Sequence, residues 1–365
     1  SGVVREHADE GERIRRLPAP AVDAIVRAGL ARLCVPTAYG GPGVDPMTMV
    51  EAIEAVASDD GAAGWCAMIA ATTSSLAAFL EPRTAAEVYG DPAVVTGGVF
   101  APNGTFTPTT TSDGDDAVRV TGRWQWGSGT QHCRWIVGGA RGDDAFRLCW
   151  YDAADVTFHD TWYTSGMRGS GSLDFSVDGA VVPLRRTMQP GITRPFVDEP
   201  LSRFPNFTLL ATGVAAVGLG VARRALDELI ALAGEKTPQF ATRTLASSPY
   251  TQIEVARAEA SLRSARAFLL DELSTAWDRA SAGGAVSVES RAAIRLAALH
   301  AAEVSTTVAD TAFVLAGGTA VYDTSVLGRC LRDAHVVTQH IMTAPKLSET
   351  LGKVILGVDA ETTML

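Results

Sequence analysis

Cysteine is sparse and scattered in this chain. Cys34, Cys66, Cys133, Cys149 and Cys330 are odd in number and form no CxxC pair, which fits reduced thiols in a cytosolic protein better than a disulfide framework or a zinc site. Positive charge is in deficit: 31 Lys and Arg stand against 41 Asp and Glu, a formal net charge of −10. Neither nucleic acid nor an anionic membrane is therefore expected as the main partner. No apolar run reads as long enough, and free enough of charge and glycine, to cross a bilayer. The opening stretch SGVVREHADEGERIRR is polar and charged, unlike a secretory signal. GxGxxG after a strand, GxxxxGK[ST], GxSxG and HExxH are all missing, so phosphate-loop, nicotinamide-Rossmann, serine-hydrolase and zinc-protease readings lose ground.

What is present is a large apolar fraction, 47% of 365 residues, enough for an extensive core and too long a chain for one compact unit. Three parts are expected. Residues 1–95 read as helices, among them Pro18–Ala31, a helix capped by Asp45, and a third starting near Ala62 that carries Trp65 and Met68. Residues 96–206 form a β domain. Alternation appears at Ala117–Val120, Trp124–Trp126 and Trp135–Val137, Asp113–Asp116 is a hairpin turn, and Leu173–Val177 and Val181–Val182 are later strands. Residues 207–365 read as a four-helix bundle, with helices over Thr208–Ala233, Pro249–Ala280, Ser287–Leu315 and Ser325–Val358.

Several clusters are candidates for chemistry. In Gly122-Arg123-Trp124-Gln125-Trp126-Gly127-Ser128-Gly129, period-2 alternation puts both tryptophan rings on one strand face, and the glycines admit a planar ligand to the backbone. A barrel core with a glycine corner explains the same residues. Pro102-Asn103-Gly104 reads as a turn whose amides could meet a ligand's polar edge. The stretch Trp162–Ser172 reads as a flexible polar loop with one arginine that ends in a strand, more simply a linker. Near the end, Gly317-Gly318 forms a turn. Arg329 and Asp333 are spaced for a helical ion pair. Asp333 and His340, seven apart, are expected on one face of a helix about 10 Å apart.

With these parts in this order, the chain resembles the acyl-CoA dehydrogenase superfamily over nearly its whole length. The residues that carry the likeness are Pro36 with Tyr39-Gly40-Gly41, Pro102-Asn103-Gly104, and Gly122–Trp126 with Ser128-Gly129. Further on they are Gly166–Ser172 with Val182-Pro183, Ala316-Gly317-Gly318, and Leu327-Gly328-Arg329 with Arg332-Asp333. The resemblance implies an α+β fold with a helical N-terminal domain, a central β domain and a C-terminal four-helix bundle. It is closer to the flavin-dependent monooxygenase branch, which includes p-hydroxyphenylacetate hydroxylase oxygenases and dibenzothiophene monooxygenases. Such enzymes take reduced FMN or FAD from a separate flavin reductase and work as homotetramers or homodimers.

Carried over residue by residue, Trp126, Gly127, Ser128 and Gly129 would lie beside the flavin ring, with the Ser128 hydroxyl near N5. Asn103 would line the site, and Gly317 and Gly318 would approach the flavin from a neighbouring subunit. His340 matches a histidine close to where substrate meets flavin, so His340 and Ser128 are the catalytic candidates. The implied chemistry is hydroxylation of an aromatic or other electron-rich small molecule through a C4a-hydroperoxyflavin. One departure decides between branches. Acyl-CoA dehydrogenases commonly carry a glutamate base after the Arg-Asp motif, whereas Gln339–Pro345 holds no carboxylate and the next is Glu349. A dehydrogenase with its base moved to Glu254, Glu259 or Glu303 is the alternative, and an inert flavin-binding relative is another. The glutamine that often precedes the glycine turn is replaced by Phe313, which leaves FMN and FAD both open.

Overall fold

The structure, a computed structural model, describes residues 2–142 and 145–365. Helices come first: α1 (Gly2–Glu6), α2 (Ala8–Ile14), α3 (Ala19–Arg27), α4 (Pro46–Asp59), α5 (Gly61–Ser74) and α6 (Pro82–Tyr89). Strands follow as β1 (Thr96–Thr110), β2 (Asp116–Gly127), β3 (Trp135–Gly142), β4 (Ala145–Asp152), β5 (Thr157–His159), β6 (Leu173–Pro183) and β7 (Thr187–Met188). The chain ends in α7 (Asn206–Glu235), α8 (Pro249–Ser281), α9 (Val288–Ala316), α10 (Val326–Val337) and α11 (Leu347–Leu356).

Local chemistry explains the helix starts. Asp45 and Asp60 accept the amides of Thr48 and Ala63 and so cap α4 and α5. Prolines in the first turns of α3, α4 and α6 sit where no amide partner is needed. The expected Pro18–Ala31 helix is shorter: α3 stops at Arg27, Gly29 turns left-handed, and Leu30–Arg32 form a separate 3₁₀ turn.

Helix α5 is buried almost all round, so it must pack through small residues. A Cβ on Gly64 would fall 2.5 Å from the Ala57 side chain, and one on Gly213 2.6 Å from Met68. Glycine at these two positions lets α4, α5 and α7 approach closely. Three segments do reach the length and apolarity of a membrane crossing, which corrects the sequence expectation: Gly61–Phe79, Asn206–Glu235 and Val288–Val321. Burial within the fold takes up 83% and 89% of the first two windows and 39% of the third.

The sheet has the strand order β5-β6-β2-β1-β3-β4-β7. β1 runs parallel to β3, and the other neighbours pair antiparallel. The hairpin turn expected at Asp113–Asp116 joins β1 to β2, with Gly114 at positive φ. Pro102-Asn103-Gly104 is not a turn. It lies inside β1, where the register to β3 shifts between Val99 and Gly104, because Pro102 has no N–H to give a ladder and the surplus residues bulge. Leu173–Val182 is one strand, β6, rather than two.

The two tryptophans of β2 do not share a face. Trp124 is fully buried, stacked on Phe175 at 5.1 Å, and its Nε1–H donates to Gly139 O at 2.9 Å. Trp126 adopts φ 65° and is 68% exposed. The β2–β6 register shifts between Trp124 and Gly127, and this bulge turns Trp126 outward. The last predicted helix is also broken. α10 ends at Val337, turns follow, and α11 begins at Leu347 after Pro345. Asp333 therefore lies on the helix and His340 beyond its end, not on a shared helical face.

Trp124→Ala is expected to cost about 3–5 kcal/mol by removing a stacked ring and its hydrogen bonds. Urea unfolding followed by tryptophan fluorescence and circular dichroism measures it.

Candidate active site

Four elements converge on Trp65 in α5. Its Nε1–H donates to Ser128 Oγ at 3.0 Å, just past the end of β2. Its ring meets the His340 ring edge-on, centroids 5.5 Å apart. Ser128 Oγ is 2.6 Å from Ser172 Oγ, which is 2.7 Å from Ser170 Oγ. Both catalytic candidates, Ser128 and His340, thus touch the same indole. Three hydroxyls joined by two links leave one O–H without an acceptor inside the chain of serines. When Ser170 donates to Ser172 and Ser172 to Ser128, the spare proton is on Ser128.

His340 follows α10 in the turn region. Its Nδ1 accepts the Met342 amide at 3.2 Å, so the neutral ring carries its proton on Nε2. Burial, followed by the positive charge of Arg295, lowers its pKa to about 4. The ring is therefore uncharged at neutral pH, with Nε2–H as a donor. No carboxylate acts on it among the described residues. The alternative bases lie elsewhere: Glu254 pairs with Arg257, Glu259 pairs with Arg223, and Glu303 is exposed on α9.

The serine loop is held from behind. Asp333 Oδ1 accepts the Met167 amide at 2.5 Å, and Trp162 Nε1–H donates to Met167 O at 3.1 Å. Met167 is left-handed, φ 50°, a conformation that surrounding bonds must impose on a residue with a side chain. The expected Arg329–Asp333 pair is replaced: Arg329 binds Asp9 at 2.6 Å, which frees Asp333 for the loop. Burial raises Asp333 to about 7 and its neighbour Asp60 to about 6, against the lowering influence of Arg329 on both.

Other proteins are similar to this chain in sequence and fold. The family models described as acyl-CoA dehydrogenase, N-terminal domain and acyl-CoA dehydrogenase, C-terminal domain match residues 2–82 and 212–345. An indole-3-acetate monooxygenase of Pseudomonas putida is 36% identical over 97% of this chain and 91% of its own length. The chain belongs to the acyl-CoA dehydrogenase family and is a flavin-dependent monooxygenase. The flavin-dependent monooxygenase oxygenase subunit HsaA of Rhodococcus jostii is 27% identical, covering 94% of this chain and 92% of its own. XiaF from a Streptomyces species, solved with FADH2 and glycerol, matches with a TM-score of 0.91 at 26% identity, covering 100% of this chain and 94% of that one. The α+β architecture expected of the acyl-CoA dehydrogenase family is the one observed.

At the end of β2, Trp126 and Ser128 are the side chains that would meet the flavin of such a monooxygenase. Gly127 and Gly129 pack inward instead: a Cβ on Gly127 would fall 2.7 Å from Phe175, and one on Gly129, at φ 67°, 3.3 Å from Cys66 Sγ. Ser128 has a proton to give when the serine chain donates toward it, and Trp126 presents an exposed ring beside it. Asn103 is exposed on the β1 bulge, and no hydrogen bond ties it to the Trp65 cluster among the described residues. Gly317 and Gly318 follow the far end of α9, about 30 Å along the helix from Arg295 at 1.5 Å per residue, where Lys236 reaches Ala316 O and Thr319. One chain does not bring them to His340. Trp65, Ser170, Ser172 and Arg295 were not singled out from sequence. The signals were a serine pair spaced by glycine and a lone arginine in the apolar run Ala292–Leu299.

Asp60 and Asp333 hold protons to higher pH in the folded chain than in the unfolded one. Their contribution to stability is therefore greatest near pH 4 and is lost as pH rises through 6 to 7. Asp333→Asn, which keeps an acceptor for Met167, is expected to raise the urea midpoint at pH 8 and to lose that advantage at pH 5.

Proposed function

We propose that this chain is the oxygenase component of a two-component system, taking reduced FMN or FAD from a separate flavin reductase and using O2 to hydroxylate a planar aromatic or other electron-rich small molecule. The observation that carries this reading is His340: half-buried, uncharged, its proton fixed on Nε2, and without a carboxylate acting on it among the described residues. Taking a carbon-bound proton from an acyl thioester needs a base, and an imidazole with a conjugate acid near pH 4 is a weak one. A fixed N–H donor suits the opposite task, stabilising charge that develops on an oxygen atom.

Reduced flavin, when bound, would supply the two electrons that activate O2, one atom of which goes to the substrate and the other to water. Trp126 would flank the ring, and Ser128 would give a hydrogen bond to its polar edge. Trp65 and the apolar faces of α5 and α7 keep water from the reacting atoms. These contacts address the ring rather than its tail, so FMN and FAD are both accommodated. The Rhodococcus jostii relative is named as an oxygenase subunit, and the Pseudomonas putida relative by indole-3-acetate. Those names make a reductase partner the expectation and a bicyclic aromatic acid the first substrate to test.

A homotetramer or homodimer completes the proposal. The glycine turn is remote from His340 within one chain, and Val314, Val321 and Tyr322 around it are exposed. Apolar side chains at such a turn favour contact with a second copy.

The test supplies chemically reduced FMN or FAD, isotope-labelled dioxygen, and indole-3-acetate or simple phenols. One labelled oxygen atom in the product is expected, and His340→Gln is expected to lower kcat by roughly 10²-fold while reduced-flavin affinity holds. Oxidation of an acyl thioester with an electron acceptor, and no labelled product, would overturn the reading.

A further inference from the structure

Among the described residues, Arg295 is a buried cation without an anion. It stands in the second turn of α9 and is fully buried. Its guanidinium donates to three backbone carbonyls: Met342 O at 3.3 Å, Phe207 O at 3.3 Å and Met364 O at 2.6 Å. The remaining contact is Met342 Sδ at 3.1 Å, and Nε has no partner. No carboxylate takes part. Burial alone lowers its pKa to about 10.

Burying an uncompensated charge is costly, and a well-packed apolar side chain holds segments together as well or better. Three carbonyls from separate segments need donors, and a guanidinium reaches all three. Met342 gives one of those bonds a second consequence. Its carbonyl accepts from Arg295, and its amide donates to His340 Nδ1. Arg295 thus grips the residue that sets the histidine's tautomer. Its charge also acts directly on the imidazole. The elements packed around His340 offer it Trp65 from α5 and Arg295 from α9, and Arg295 is the charged group that acts on it among the described residues.

We propose that Arg295 is a positioning residue that, through Met342, fixes His340 as a hydrogen-bond donor at Nε2 for oxygen transfer. The role assigned to the donor rests on the monooxygenase reading. The link from Arg295 to the tautomer stands on the geometry alone and can be measured without flavin or substrate. Charge and geometry make separable contributions. The cation opposes protonation of the ring, and the grip on Met342 keeps the amide aimed at Nδ1. Arg295→Met removes both, and Arg295→Lys keeps the charge and loses the planar two-sided grip.

The experiment is nitrogen NMR of histidine-labelled, flavin-free protein, with the His340 signal assigned by its loss in His340→Gln. The parent protein should show a protonated Nε2 and a bare Nδ1, with its titration midpoint pushed down to about 4. In Arg295→Met the titration midpoint is expected to rise by roughly half a unit or more, with the two tautomers mixed. In Arg295→Lys the midpoint should stay low while the tautomers mix. Turnover in Arg295→Met should fall about tenfold, with reduced-flavin affinity within about twofold. Circular dichroism establishes that each variant is folded, and Arg295→Lys carries the tautomer test if Arg295→Met is not. An unchanged tautomer and midpoint in folded Arg295→Met, or an unchanged tautomer in folded Arg295→Lys, would overturn the proposal. A shifted tautomer with no hydroxylation by the parent protein would leave the positioning role standing and remove the monooxygenase one.

Discussion

The indole of Trp65 is the contact on which the site depends. It is a side chain of the helical N-terminal part that bonds Ser128 of the sheet and packs on His340 beyond α10. Its place follows from close helix packing. Gly64 lets α5 lie against Ala57 of α4, and Gly213 lets α7 lie against Met68 one turn further on. Wider side chains at those glycines would push α5 outward and carry the indole away from both partners. The tolerance is small, because a hydrogen bond of 3.0 Å does not survive a shift of much more than half an ångström.

Around that indole the backbone is strained where it serves the site. Trp126 and Met167 are both left-handed without being glycine; Trp126 sits beside Ser128, which Trp65 touches, and Met167 beside Ser170 at the other end of the serine chain. Such conformations persist only when surroundings over-determine them. For Trp126 the surroundings are the β2–β6 register shift. For Met167 they are a buried carboxylate on its amide and an indole N–H on its carbonyl. The carboxylate is itself expensive to bury, and its raised pKa measures that expense. Stability is thus given up at Asp333 to hold the loop that presents Ser170 and Ser172.

Much of the fold was legible in the sequence, and the reasons differ by element. Long Ala- and Leu-rich periodic runs announced α7, α8 and α9, and an Asp-Gly turn announced the β1–β2 hairpin. The break after Val337 was not legible. Val336-Val337-Thr338-Gln339-His340-Ile341-Met342 carries no breaker, and Pro345 lies several residues on. The helix gives way to a turn closed by local bonds, Thr343 Oγ1 donating to Val337 O and the Met342 amide to His340, and held from α9 by Arg295 donating to Met342 O. Trp126 was misread for a related reason, since alternation predicts a face only while the register holds. The motif after Trp126 and the absence of a carboxylate near His340 were visible as residues. Trp65 was visible only as one apolar residue in a helix that is apolar all round, and such a helix has no face to point with.

The chemistry turns on what one buried cation does to its neighbour. A carboxylate set beside Arg295 would be held ionised by it and made available as a base. An imidazole in the same field is affected the opposite way, because a second positive charge is disfavoured, as burial already dictates. The same arginine would therefore support proton removal beside a glutamate and oppose it beside a histidine. With Nδ1 occupied by the Met342 amide, the ring retains one polar capacity, which is to share the Nε2 proton. Carbon–hydrogen bonds do not accept such a proton, and oxygen atoms acquiring charge do. A histidine rather than an acid in this turn thus decides the kind of reaction the pocket favours.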